Sequence, residues 1–121
     1  MEQKLVIEGS LPTMNEMVNA NRTNRFKGSK LKKEATELVA LYAKVQLKEI
    51  TKKVHIKCTW YCENKRKDKD NIAAGLKIIF DGLQVAGKLK NDGWQEIGDI
   101  YHTFDVDKKN PRVEVIFSEN N

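Results

Sequence analysis

Two aspartates one residue apart, Asp68 and Asp70, stand in the segment KRKDKDNIAAGLKIIFD at 65–81, among Lys65, Arg66, Lys67 and Lys69. On an extended approach, residues i and i+2 face the same way, so both carboxylates can converge on one ion. A helix expected to begin at Asp70 or Asn71 adds the favourable field of its N-terminus and free N–H groups. Hard oxygen ligands of this kind suit magnesium, with manganese as an alternative; zinc would want histidine or thiolate. Further along, Lys77 and Asp81 lie seven and eleven residues after Asp70, which returns all three to one helical face. Beside a metal, the Lys77 ammonium could bind a scissile phosphate or stabilise the charge developing on it. The plainer reading is a Lys77–Asp81 surface ion pair. Asp92, in the loop sequence NDGW, could return a third carboxylate to the site, or could simply belong to a turn. A divalent metal next to a phosphate site suggests phosphodiester hydrolysis, in which the ion activates water and neutralises the transition state.

Charge supplies the second argument. The formal net charge is +5 and the pI is near 9.2. Arg22, Arg25, Lys27, Lys30, Lys32 and Lys33 form a run with no intervening acid, and Lys65, Arg66, Lys67 and Lys69 are interrupted only by Asp68. Clustered cations are the electrostatic footprint of a polyanion partner, although a solvated face would look the same by charge alone.

The elements that must position these residues follow from periodicity. Residues 4–8 read as a strand bounded by Gly9 and Pro12. The Asn-, Thr- and Arg-rich stretch from Leu11 to Gly28 has no sustained period and reads as a long loop, of a length that is usually functional or disordered. A helix is expected from about Lys30 to Glu49, capped by Ser29, with Leu31, Ala35, Leu38, Tyr42 and Val45 as its buried stripe. VHIKCTWYC at 54–62 alternates as a strand, with Val54, Ile56, Cys58, Trp60 and Cys62 on one face and His55 on the other. His55 and His102 read as surface or sheet-face residues. The second helix is expected to bury Ile72, Leu76, Ile79, Phe80 and Leu83 and to end before Gly87 as the C′ residue. Strands at about 97–105 and 112–118, with Lys108 to Pro111 as the turn, complete the chain, and Asn120–Asn121 reads as a frayed end. The order β-α-β-α-β-β implies a single α/β domain over 1–121, a small mixed sheet packed by two helices.

Composition excludes several classes. No apolar run approaches the roughly 18 to 20 residues that span a bilayer, so no membrane partner is expected. MEQKLVIEGS lacks the regions of a signal peptide, so the expected location is cytoplasmic. Cys58 and Cys62, four apart on one strand, would sit roughly 13 Å apart, too far for a disulfide. They read as reduced, packed thiols, and strand alternation keeps His55 from joining them as a zinc ligand.

The run D-K-D-N at 68–71, then Lys77, then F-D-G-L with Gly87, then N-D-G-W at 91–94, resembles the RusA family of Holliday-junction resolvases. That family carries D-x-D-N, a helical lysine four residues before an aspartate, a glycine closing the helix and an acidic pair in the next loop. The opening strand, proline and Asn-rich basic loop are also similar. The resemblance covers most of the chain, but only 65–96 is specific. It implies a homodimeric, magnesium-dependent endonuclease that nicks four-way DNA junctions on two strands, in recombination and repair, as a prophage or host enzyme. Asp68, Asp70 and Asp92 match the metal ligands, Lys77 the lysine implicated in catalysis, and Asp81 a supporting helical aspartate. The basic residues Arg22, Arg25, Lys27, Lys30, Lys65, Arg66, Lys67 and Lys69 would then contact DNA. Two departures stand out: Asp70 and Lys77 are seven residues apart where the family has about one helical turn, and the acidic pair is Asn91–Asp92. The alternatives are a nucleic-acid-binding module of the same fold without turnover, and a structural or protein-interaction domain whose cations only solvate it.

Overall fold

In the computed structural model, which describes residues 2–119, the chain opens with β1 (Glu2–Glu8), whose Leu5 and Ile7 are buried while their neighbours are not. Met1 and the Asn120–Asn121 end lie outside the described residues. Two helices follow, α1 (Met14–Thr23) and α2 (Arg25–Gln46), then β2 (Val54–Cys62). The short α3 (Lys69–Ala73) and α4 (Leu76–Val85) lead to β3 (Ile97–Val106) and β4 (Arg112–Glu119). The strands form one mixed sheet in the order β1-β4-β2-β3, antiparallel except for the parallel pair β2–β3. The fold is α/β, with a four-stranded mixed sheet, in agreement with the periodicity.

Strand alternation decides which face is covered. Ile56, Cys58 and Trp60 of β2 stand opposite Phe117, Val115 and Val113 of β4, and all six are buried. Leu5 and Ile7 continue this surface onto β1, and Val39 of α2 with Ile78, Ile79 and Leu83 of α4 lies in the same core. The intervening strand residues, such as Lys57, Thr59 and Glu114, are exposed or half-buried. The end of α2 is fastened to the β1 edge by one side chain. The Gln46 amide accepts from Val6 N at 2.7 Å and donates to Val6 O at 2.9 Å.

Three expectations about the helices need correction. The segment 11–28 is not a long loop: α1 occupies most of it, and α2 begins at Arg25, with Asn24 rather than Ser29 as its cap. A capping box starts α1. Thr13 Oγ1 accepts from Glu16 N at 3.3 Å, and Glu16 Oε1 accepts from Thr13 N at 3.1 Å, satisfying two otherwise orphaned donors. The buried stripe of α2 is Gly28, Ala35, Val39, Ala40 and Ala43, whereas Leu38 and Val45 are 42% and 84% exposed. Close neighbours mark this face: a Cβ on Gly82 of α4 would meet Val39 Cγ1 at 2.5 Å, and one on Gly28 would run into the Asn21 side chain of α1. Finally, the second helix is broken in two at Ala74–Gly75. The break rests on the Trp60 indole, which a Cβ at Gly75 would approach to 3.0 Å. Gly87 behaves as expected, with φ of +72° just past the end of α4.

Candidate active site

The carboxyl ends of the parallel strands β2 and β3 open onto the loop that carries the candidate aspartates. Crevices outside the carboxyl ends of parallel strands are the usual ligand sites of open α/β sheets. After Cys62 the chain turns, with Asn64 Oδ1 accepting from Arg66 N at 2.9 Å, and reaches Asp68 as the N-cap of α3. The Asp68 carbonyl accepts from Ile72 N at 3.1 Å, but its carboxylate makes no capping bond. Asp70 lies in the first turn, where its Oδ1 accepts from Asn71 N at 2.9 Å. Both are exposed, and among the described residues neither forms an ion pair.

That lack of pairing is informative because cations surround the two aspartates in sequence. Two of these cations have partners of their own. Lys67 Nζ reaches Glu16 of α1 at 3.2 Å, and Lys69 Nζ lies 5.6 Å from the centre of the Phe104 ring. Asp68, Lys65, Lys69 and Phe104 line a cleft of about 570 Å³ between α3 and the ends of β2 and β3. Phe104 belongs to an aromatic row, with His102 stacked near it and Trp60 stacked near His102. The Trp60 indole N–H donates to His102 Nδ1 at 2.9 Å, and burial holds the imidazole pKa below its usual value, so it remains a neutral acceptor. His102 is thus half-buried and serves as a support for Trp60, a role that strand alternation alone did not indicate.

A second group forms around Lys77 on α4. Its ammonium lies 3.0 Å from Asp81 Oδ1 and 3.5 Å from Asp92 Oδ2, while Lys32 of α2 is 3.9 Å from Asp81 Oδ2. The hydrogen bond and charge of Asp81, aided by Asp92, raise the Lys77 pKa, so the side chain is held as a cation. The loop carboxylate of Asp92 thus comes back to the helix that carries Lys77. Asp81 joins the same ion pair, as the one-turn spacing requires.

The site residues therefore fall into two groups, Asp68 with Asp70 on α3, and Lys77, Asp81 and Asp92 on α4 and its following loop. The donor chemistry, carboxylate oxygen throughout, fits a hard divalent ion. Among the described residues, no three His, Cys, Asp or Glu side chains are gathered closely enough to hold a metal.

The basic residues flank these groups. Arg22 closes α1, and Arg25, Lys27 and Lys30 open α2, all exposed. Lys65 and Arg66 are exposed on the loop before Asp68. The Lys67–Glu16 pair ties this loop to the first turn of α1, the helix that Arg22 closes. Sequence reasoning passed over Glu16, although Thr-x-x-Glu at 13–16 is a capping-box signature. It also passed over the exposure of Trp94 beside Asp92. No protein-family model matches the chain, and no curated protein matches it in sequence. No helix among the described residues is long and apolar enough to cross a membrane.

Proposed function

We propose that this chain is a magnesium-dependent endonuclease of branched DNA, acting on four-way junctions in recombination and repair. The observation that carries the reading is the pair Asp68 and Asp70, exposed at a helix start and without ion pairs among the described residues, in a strongly basic segment. Two uncompensated carboxylates beside a polyanion-attracting surface make sense where a divalent cation is to join them. Asp68 and Asp70, with Asp92 as a third ligand, would hold magnesium, or manganese in its place. When bound, the ion would supply an activated water and neutralise charge on the phosphate. Lys77, kept cationic by Asp81 and Asp92, offers an ammonium to a non-bridging phosphate oxygen. Arg22, Arg25, Lys27, Lys30, Lys65, Arg66, Lys67 and Lys69 would neutralise backbone phosphates and orient the strands.

Cutting two opposed strands of a junction calls for two active sites related by a two-fold axis, so the working species is a homodimer. A cytoplasmic location fits a DNA substrate. The second reading, a nucleic-acid-binding module without turnover, is favoured by the neutralisation of Asp92 by Lys77, which leaves that carboxylate less free for a metal.

Incubating the protein with synthetic four-way junctions, with magnesium and with excess chelator, separates these readings. The expected result is symmetric nicks on two opposed strands with magnesium and none in chelator. Asp70→Asn should abolish cleavage and calorimetric magnesium binding while retaining junction binding. Cleavage that persists in chelator would sink the metal mechanism. Tight junction binding without product at any protein concentration favours the binding module.

A further inference from the structure

Trp94 is 92% exposed, whereas Trp60 is 5% exposed. An indole is among the largest apolar groups a chain can bury, and tryptophan is normally well covered. Nor is Trp94 at the tip of a slack loop. Gly93 O accepts from Glu96 N at 3.2 Å and from Ile97 N at 3.0 Å, and Gly93 N donates to Glu96 Oε1 at 3.2 Å. Glu96 O in turn accepts from Val54 N at 3.1 Å, anchoring the turn to the start of β2. The indole is therefore carried outward on a turn closed by hydrogen bonds from both sides, two residues after Asp92.

The surroundings indicate what it meets. Lys88 and Lys90 precede it in the same loop, and the Asp92 carboxylate beside it is tied to the Lys77 ammonium at 3.5 Å. An exposed aromatic face in a loop that also carries Lys88 and Lys90, on a chain of net charge +5, complements a ligand that combines phosphates with exposed aromatic rings. Unpaired nucleotides are that ligand: every base presents a π-face, and aromatic side chains stack on it whatever the sequence. Paired bases in a duplex offer no such face, so an indole here discriminates unstacked from stacked DNA.

We propose that Trp94 is a base-stacking residue, packing its indole on an unpaired base of the strand whose phosphate lies by Lys77. This deepens the branched-DNA reading and rests on it, because pairing and stacking are most easily opened at a branch point. Trp94 is a positioning residue on this account: it holds the strand and leaves the chemistry to other groups. Its exposure also means that substitution disturbs no core packing.

The test uses the intrinsic fluorescence of the intact protein, with the Trp94→Phe protein isolating the Trp60 signal. The probes are an oligothymidine single strand, a synthetic four-way junction and a blunt duplex. Trp94 emission should fall by about half or more with the first two and change little with the duplex. Trp94→Ala should weaken single-strand binding, read by anisotropy of labelled DNA, by about 5- to 150-fold. Trp94→Phe should recover most of that loss, which a merely structural role would not require. DNA binding without any change in Trp94 emission overturns the proposal, as does undiminished affinity in Trp94→Ala. An emission shift that follows protein concentration without DNA also overturns it, assigning the indole to a contact between two copies. Magnesium-dependent cleavage with an unresponsive Trp94 sinks the stacking role and leaves the nuclease reading standing. Quenching by DNA with no cleavage in magnesium supports stacking and sinks the nuclease reading instead.

Discussion

The ammonium of Lys77 stands 3.5 Å from the carboxylate of Asp92, joining the first turn of α4 to the loop that follows the helix. Nothing local in NDGW calls for this meeting. It arises because α4 is short and its end reverses at Gly87, with Lys88 N bonded back to Leu83 O at 2.9 Å. The chain then runs back along α4, and Leu89 is buried in the core. Asp81, one turn along the helix, completes the clasp at 3.0 Å.

On the proposed nuclease reading, Asp92→Asn and Lys77→Met should each slow junction cleavage by about 100-fold or more, the expected cost of removing a group that would stabilise phosphoryl charge. Unfolding free energies should change by less than about 1 kcal/mol, because Lys77 is exposed and solvent screens its ion pairs. The double variant should be little slower than the worse single one, since the groups act as a unit. Single-turnover cleavage together with urea unfolding checks both halves. A large stability loss with intact cleavage would assign the clasp to structure alone.

Gly82→Ala should destabilise the protein by about 1–3 kcal/mol, although alanine is the better helix former. The added Cβ would stand 2.5 Å from Val39 Cγ1 and 3.1 Å from the Thr36 carbonyl, so α2 and α4 must separate. Combining it with Val39→Ala should recover part of the loss, a non-additivity that urea titrations can measure. Simple addition of the two costs would show that the helices are not in contact at this point.

These helices also mark where the sequence was legible and where it was not. The alternation of Val54, Ile56, Cys58 and Trp60 was readable because one face of β2 is buried and a period of two admits no other arrangement. The start of α1 was hidden because its signal is the Thr13–Glu16 capping box, in a segment too polar for any apolar period. In α2, large residues such as Leu38 and Val45 drew the stripe to the wrong side, whereas the buried face carries Ala35, Ala40 and Ala43, with Val39 against Gly82 of α4 and Gly28 against Asn21 of α1. At the break Gly75 packs against Trp60, a partner distant in sequence, which no window over 70–86 can contain. Of the candidate site, the Lys77–Asp81 pair followed from one-turn spacing, whereas the Lys77–Asp92 contact required the reversal of the chain after α4.

Glu114 should contribute to stability in a pH-dependent way. A hydrogen bond from Lys4 at 2.8 Å, with one from Arg112 at 2.7 Å, lowers its pKa below the ordinary 4.5. A carboxylate with a lowered folded-state pKa contributes fully above its unfolded value and loses that contribution as pH falls through the folded one. The stability difference between wild type and Glu114→Gln should therefore be constant near neutrality and shrink as pH drops below 4.5. Denaturant titrations from neutral pH into acid check the sign. A difference that grows in acid would contradict the ion pairing.

The two thiols should differ in reactivity, and only one should report on the cleft. Cys58 is fully buried and its pKa is pushed up to about 12, so almost no thiolate forms at mildly alkaline pH. Burial also raises the Cys62 pKa, but Lys67 opposes it, and Cys62 is only half-buried on the wall of the cleft that contains Asp68. An aromatic disulfide reagent should label Cys62 slowly in the native protein and reach Cys58 only after unfolding. On the proposed branched-DNA reading, the bulky adduct at Cys62 should reduce junction binding, and Cys62→Ala should make binding insensitive to the reagent. Equal native labelling of both thiols would contradict the buried position of Cys58. Undiminished binding by the Cys62 adduct would remove the cleft from the proposed DNA path.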